Sequence, residues 1–278
     1  MKKKVDERVN VPTRAGLVKA AVPIFKYEKR PEQDGDFPSY MIPFASGALI
    51  EVERYLILLT AAHVSEWVNL CVPCGDAFNA KNPKQQTLYG TRRSSKKENA
   101  VKFGKNDWSI IFLSTPAEST ETADFCKRVF AVHHVSEDKK NNGPYSFCGY
   151  PNVLNQVTRA TTKFSLTSYI ISNMKELSDD DYEKYGIDKN VNIAFYFFRC
   201  LFINKDTKKQ TPHIRLKGIS GGPILDKDGN LVAVFTECPA PGKILVGVRI
   251  TKIIDDLLSF NYTERNISQE DEESGPVE

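Results

Sequence analysis

Apolar residues in this chain gather in short runs broken by turn signals, the pattern of strands rather than of long helices. Residues 48–52 (Ala-Leu-Ile-Glu-Val) and 55–59 (Tyr-Leu-Ile-Leu-Leu) flank a short turn at Glu53-Arg54 and predict a hairpin that delivers His63 to its end. Residues 223–225 and 231–235 flank Asp228-Gly229, a stronger hairpin signal because those two residue types accept the positive φ of tight turns. One helix is predicted near the end, where Ile250, Ile253, Ile254, Leu257 and Leu258 recur at helical spacing. The longest apolar run, residues 193–198, stops at Arg199 and is far too short to span a bilayer. Many short strands and few helices predict an antiparallel all-β protein.

Both predicted hairpins abut residues with chemistry. The first leads into Leu59-Thr60-Ala61-Ala62-His63, and the second follows Lys217-Gly218-Ile219-Ser220-Gly221-Gly222-Pro223. A serine hydroxyl is a poor nucleophile at neutral pH until a base takes its proton, and imidazole does that best near pH 7. Glycines around such a serine let the backbone bend sharply and aim N–H groups at an oxyanion, here those of Gly218 and Ser220. A third group must orient the imidazole, and Asp107, opening the run Trp108-Ser109-Ile110-Ile111-Phe112-Leu113, is the candidate, with Asp124 as the alternate. Gly-x-Ser-x-Gly also marks the nucleophile elbow of α/β-hydrolases, but there the histidine follows the serine. All four histidines, His63, His133, His134 and His213, precede Ser220, so that fold would lack its base.

The order His, Asp, Ser and the three motifs together resemble the trypsin/chymotrypsin-like serine peptidases, and look closest to their intracellular bacterial-type members. Thr60-Ala61-Ala62-His63, Asp107-Trp108-Ser109-Ile110-Ile111 and Gly218-Ile219-Ser220-Gly221-Gly222-Pro223 carry the resemblance, which spans roughly residues 45–260. It implies two packed antiparallel six-stranded β-barrels with a C-terminal helix. Residues 21–140 would hold the first barrel with His63 and Asp107, and residues 141–260 the second with Ser220. An N-terminal extension (1–20) and a disordered acidic tail (261–278) would lie outside. The resemblance further implies a peptide-binding strand through Thr236, Glu237 and Cys238, a pocket floor at Ile214 and a pocket-wall glycine at Gly247. With no acid at Ile214, tryptic cleavage is not expected, and an apolar or aromatic residue is expected on the acyl side of the cut. Val64 stands where secreted relatives carry a cysteine, and Ile219 where zymogens carry an aspartate that pairs with a new N-terminus. The oxyanion loop is therefore expected to be preformed or ordered by something else.

Composition adjusts this picture only at its edges. With 278 residues and 41% hydrophobic content the chain can bury a large core. Its six cysteines are scattered, apart from Cys71 and Cys74, and predict reduced thiols in a cytoplasmic protein. The Cys71–Cys74 spacing would suit zinc, yet no second pair completes a site, and neither metal nor organic cofactor is expected. A net charge of +3 is divided along the chain, with a basic loop at 81–105 and an acidic excursion at 178–190. Nucleic acid and membrane are not expected as partners. A protein or peptide substrate is, and a regulatory protein partner is compatible with the basic loop. The reading from another class is a catalytically silent protease fold used as a binding module, and an esterase on the same triad is a third.

Overall fold

The computed structural model describes residues 14–28, 40–52, 55–65, 70–72, 92–94, 106–113, 121–135, 143–152, 168–197, 202–203, 210–211, 217–239 and 244–258. The segments 81–91, 95–105, 212–216 and 259–278, which include most of the predicted basic loop, Ile214 and the acidic tail, lie outside the described residues.

The first half is built on the predicted hairpin. Strands β1 (Val22–Glu28), β2 (Tyr40–Val52) and β3 (Tyr55–Thr60) run antiparallel, with Ala48 opposite Leu59 and Val52 opposite Tyr55. β4 (Leu70–Cys71) extends β1, β6 (Ser109–Phe112) pairs with β3, and β5 (Arg92–Ser94) lies on β6. β7 (Val132–His133) pairs with β2 in parallel, which makes seven strands among the described residues instead of a closed six-stranded barrel. Strands of two or three residues, such as β4, β5 and β7, carry no periodicity of their own and follow from tertiary pairing alone.

The second half is the expected closed six-stranded barrel. Its strands are β8 (Tyr145–Gly149), β9 (Tyr169–Glu176), β10 (Asn192–Tyr196), β13 (Pro223–Leu225), β14 (Leu231–Glu237) and β15 (Ile244–Arg249), in the order β10-β15-β14-β13-β8-β9. Two further short strands, β11 (Phe202–Ile203) and β12 (Gln210–Thr211), form a separate pair. The Asp228-Gly229 turn between β13 and β14 is held by Asp226, whose carboxylate accepts from the backbone N–H groups of Asp228 and Asn230.

Helices are more numerous than the periodicity predicted. Besides the single turn α2 (Ala62–Ser65), they are α1 (Arg14–Ala20), α3 (Glu121–Val129), α4 (Asp179–Tyr185) and α5 at residues 250–258. α4 occupies the predicted acidic excursion. Ser178 caps it by accepting from the Asp181 N–H, and three aspartates in its first turn complement the helix dipole. α1, in the expected N-terminal extension, packs on the core, with Leu17 and Ala20 buried in the cluster that joins the two halves. In α5, Ile250 and Ile253 are buried in that same cluster while Leu258 is 55% exposed, so the buried stripe is narrower than the sequence pattern.

That joining cluster matters most for the site. It takes Ala48, Ile50, Ile57, Leu59, Trp108 and Ile110 from the first half and Leu225, Val234, Val248 and Ile253 from the second. Trp108 is fully buried there. Burial of one indole contributes roughly 4–6 kcal/mol in transfer terms, so the residue next to Asp107 is among the firmest points of the interface. Among the described residues no helix is long and apolar enough to cross a membrane.

Candidate active site

His63 sits in the one-turn helix α2, three residues after the end of β3. The turn is short because each of its bonds is local: the Val64 N–H donates to the Ala61 carbonyl and the Ser65 hydroxyl to the Ala62 carbonyl. Asp107 lies just before β6, the strand beside β3, so sheet pairing alone brings the two residues together. Its carboxylate receives two bonds from His63, the backbone N–H on Oδ1 at 3.0 Å and Nδ1 on Oδ2 at 2.7 Å. An ionised carboxylate has no proton to give, so the proton of this second bond resides on Nδ1. That tautomer leaves Nε2 with a lone pair, the form a general base requires. The imidazole is half exposed and Asp107 one-fifth exposed, so the pair is open to solvent. Asp124, the alternate orienter, is exposed on α3.

The serine loop approaches this pair through its backbone. Gly221 has φ +87°, and a side chain there would overlap the Ser46 carbonyl and the Thr60 hydroxyl. Only glycine lets the loop close onto Thr60, three positions before His63. Gly218, with φ +94°, is packed so tightly on Asn152 that a Cβ would overlap the Asn152 side chain. The Ser220 hydroxyl makes no hydrogen bond among the described residues, whereas the Ser220 carbonyl accepts from the Ser46 N–H at 2.9 Å. Catalytic hydrogen bonds are often long before substrate arrives, and the loop packs on Thr60, three positions before His63.

The orientation of the loop's N–H groups follows from what holds its carbonyls. In a trans peptide the C=O and N–H point in opposite directions. The Lys217 carbonyl accepts from the Asn152 N–H at 2.8 Å, and the Ile219 carbonyl from the Gly222 N–H at 3.0 Å. The N–H groups of Gly218 and Ser220, the other ends of those two peptides, are thereby turned away from these partners. Among the described residues neither donates to a protein acceptor. Two fixed, available donors on either side of a bend are what an oxyanion needs.

A second set of contacts steadies the aspartate side. Asp256 on α5 accepts on Oδ2 from Asn106 Nδ2 at 3.0 Å and from Trp108 Nε1 at 3.1 Å, while Lys252 donates to Oδ1. Both neighbours of Asp107 in sequence are therefore tied to one carboxylate on the last helix. Partial burial works against the charge of Asp256, but the donors Asn106, Lys252 and Trp108 prevail and lower its pKa from 3.8.

The expected substrate-side residues divide. β14 runs past Val234, its last partner on β13 being Pro223, and the Phe235 backbone joins Gly221 and Gly222 by two bonds. Thr236, Glu237 and Cys238 thus continue directly beyond the serine loop. The Thr236 hydroxyl donates to the Val246 carbonyl, and burial, followed by the charge of Glu237, pushes the Cys238 thiol up to about 12. At Gly247 the place of a side chain is filled by the δ-methyl of Ile224 and the Val234 carbonyl. The glycine is a packing requirement between strands. The sequence reasoning passed over Ser46, Asn152 and Asp256, and only Ser46 carries a signal, a small polar-Gly pair interrupting the apolar strand 44–50.

No family model and no curated protein matches the chain. Solved structures do, at low identity. GrC matches at 13% identity with a TM-score of 0.54, covering 88% of this chain and 95% of that one. Human heparin binding protein matches at 12% and 0.52, over 89% and 93%. A scabies mite inactivated protease paralogue matches at 11% and 0.52, over 88% and 94%. The fold is chymotrypsin-like. The human and mite neighbours lend no support to a bacterial-type subgroup.

Proposed function

We propose that the protein is a serine endopeptidase of the chymotrypsin type in which Ser220 is the nucleophile, His63 the general base and Asp107 its orienting acid. The observation that carries this reading is the doubly bonded His63–Asp107 pair, 2.7 Å at Nδ1, beside a glycine-tight serine loop. The Nδ1 bond fixes the tautomer that a base must keep through a proton transfer, and the backbone N–H bond holds the carboxylate that receives it.

In the proposed reaction Ser220 Oγ attacks the peptide carbonyl carbon as Nε2 of His63 takes its proton. The oxyanion is met by the N–H groups of Gly218 and Ser220. The imidazolium then protonates the leaving amine, and water repeats the sequence on the acyl-enzyme. Thr236 to Cys238 offer backbone groups to the substrate as an added antiparallel strand. An apolar residue on the acyl side of the cut remains the proposed preference. The compartment proposed is the cytoplasm, where the thiols of Cys126, Cys148 and Cys238 stay reduced.

The competing reading is a protease fold used for binding, which one neighbour's description as an inactivated protease makes concrete. Fluorophosphonate labelling separates the two. Stoichiometric phosphonylation that disappears in Ser220→Ala is the expected result, and a folded wild type that takes no label would turn the assignment over to the binding module. Parallel amide and ester substrates then distinguish a peptidase from an esterase.

A further inference from the structure

We propose that Ser46 is the positioning residue that fastens the serine loop in an oxyanion-ready conformation, an inference that rests on the hydrolase reading above. Ser46 lies in β2, in the half of the molecule that does not carry Ser220, and it is fully buried. Every polar group it has is engaged. Its N–H donates to the Ser220 carbonyl at 2.9 Å, and its carbonyl accepts from the Thr60 hydroxyl at 2.9 Å. Its own hydroxyl donates to the Gly218 carbonyl at 3.0 Å and accepts from the Tyr150 N–H at 2.8 Å.

The consequence is read peptide by peptide. From 217 to 221 four consecutive carbonyls are held, those of Lys217 by Asn152, Gly218 by the Ser46 hydroxyl, Ile219 by Gly222 and Ser220 by the Ser46 N–H. The first and third of these peptides carry the proposed oxyanion donors at their N–H ends. Ser46 grips the second and fourth. The second joins the two donors, and its rotation would swing one against the other. A serine hydroxyl has a single proton, and the Tyr150 N–H occupies a lone pair, so that proton is committed to the Gly218 carbonyl. Ile219, between the donors, is buried among Phe147 and other apolar side chains, and among the described residues no charged side chain bonds to the bend. The loop is thus ordered by a neutral bond from across the interface.

The test uses the full chain with Ser46→Ala and Ser46→Thr. Alanine keeps the backbone bond to Ser220 and removes only the hydroxyl; threonine restores a hydroxyl. Sites are counted by fluorophosphonate titration, and turnover of a peptide ester is expressed per titrated site. Expected for Ser46→Ala is a kcat lower by about 10–100-fold, one to two decades of the loss typical of a missing oxyanion donor. KM should stay within about threefold, the pH midpoint of kcat/KM should not move because the His63–Asp107 pair is untouched, and threonine should recover most of the loss. Hydrogen exchange over 217–222 should quicken in Ser46→Ala.

A merely structural role would instead lower the number of titratable sites or the melting temperature with kcat per site unchanged, and that result overturns the proposal. So does a kcat within twofold of wild type. Should Ser46→Ala not fold, Ser46→Cys, with its weaker donor, is read on the same scale and must lose turnover per site. Should the wild type take no label, the hydrolase reading falls on its own. The fastening is then judged by exchange alone: faster exchange over 217–222 in the alanine variant keeps it, and unchanged exchange overturns it.

Discussion

The segments that carry the proposed nucleophile and its proposed orienting acid are each held by the opposite half of the molecule, but by different kinds of bond. The serine loop, in the second half, is fastened by a fully buried, uncharged serine of β2. The aspartate segment, in the first half, is tied through Asn106 and Trp108 to Asp256, a carboxylate 18% exposed on the last helix. Buried neutral bonds are short-ranged and insensitive to salt, whereas charge-assisted bonds near the surface tolerate small displacements and weaken with screening. The difference matches what the proposed mechanism asks of each segment. Oxyanion donors act only at one place, while the aspartate has to keep a ring oriented. The apolar cluster that includes Trp108, Leu225 and Ile253 gives both ties a common, rigid base.

The largest effects should come from the reacting groups. Ser220→Ala and His63→Ala each remove a member of one unit, and loss of turnover by about a million-fold is expected for either, with little further loss in the double variant. Asp107→Asn is milder, about ten-thousand-fold, because an amide in that place can donate to Nδ1 and hold the ring in the wrong tautomer. Kinetics of the two singles and the double on one peptide ester check this. Additive losses in the double variant would show that the two halves do not act as one site.

Next comes the closure between halves. Gly221→Ala sets a β-carbon against the Ser46 carbonyl and Thr60 at a φ of +87°. Overpacking costs about 1–3 kcal/mol and the left-handed backbone about 1–2 more, and the displacement falls where the serine loop packs on Ser46 and Thr60. Labelling should be lost while the two isolated cores persist, so circular dichroism near native with no phosphonylation is the expected pair of readings.

What was legible beforehand follows the same division. Hairpins with turn chemistry, such as 223–235, and chemistry-bearing motifs with a fixed order could be read because they are local. The His63–Asp107 contact follows from two such motifs on neighbouring strands. Ser46 and Gly218, 172 positions apart, have no local sign of each other, and neither has Asp256 of Asn106 at a separation of 150. Pairing of strands as short as Val132–His133 is likewise decided by the completed fold. α4 escaped because its helix signal is a cap and three aspartates rather than an apolar stripe. At Gly247 the sequence signals close approach without saying to what, and the structure supplies Ile224 and the Val234 carbonyl.

The Asp256 tie offers a smaller and graded effect. Asp256→Asn keeps an acceptor for Asn106 or Trp108 but loses the charge, and turnover about two- to tenfold lower is expected, with the loss reproduced in wild type by added salt. An Asp256→Asn enzyme whose turnover responds to salt as steeply as wild type would show that the charge is not what steadies the segment.

The smallest effect separates neutral from charged ties by pH alone. His133 on β7 is buried, and because a carbonyl can only accept, its Nε2 carries the proton that bonds Ala20 of α1 at 2.6 Å. Burial lowers its pKa below 6.5, and the neighbouring His134 adds to the shift, while the bond to Ala20 opposes it. The unfolded chain therefore binds the proton more readily, so the stability contributed by neutral His133 is complete above about pH 6.5 and is lost progressively as pH falls below that value. Asp256 has the opposite chemistry and a lower window. With its pKa depressed below 3.8, its contribution is complete above that value and declines only as pH falls further. A melting profile should accordingly descend in two steps. His133→Gln, which keeps an N–H for Ala20 but does not titrate, should flatten the first step and leave the second in place. Asp256→Asn should do the reverse, and a variant that flattened both steps would show that the two ties unfold as one.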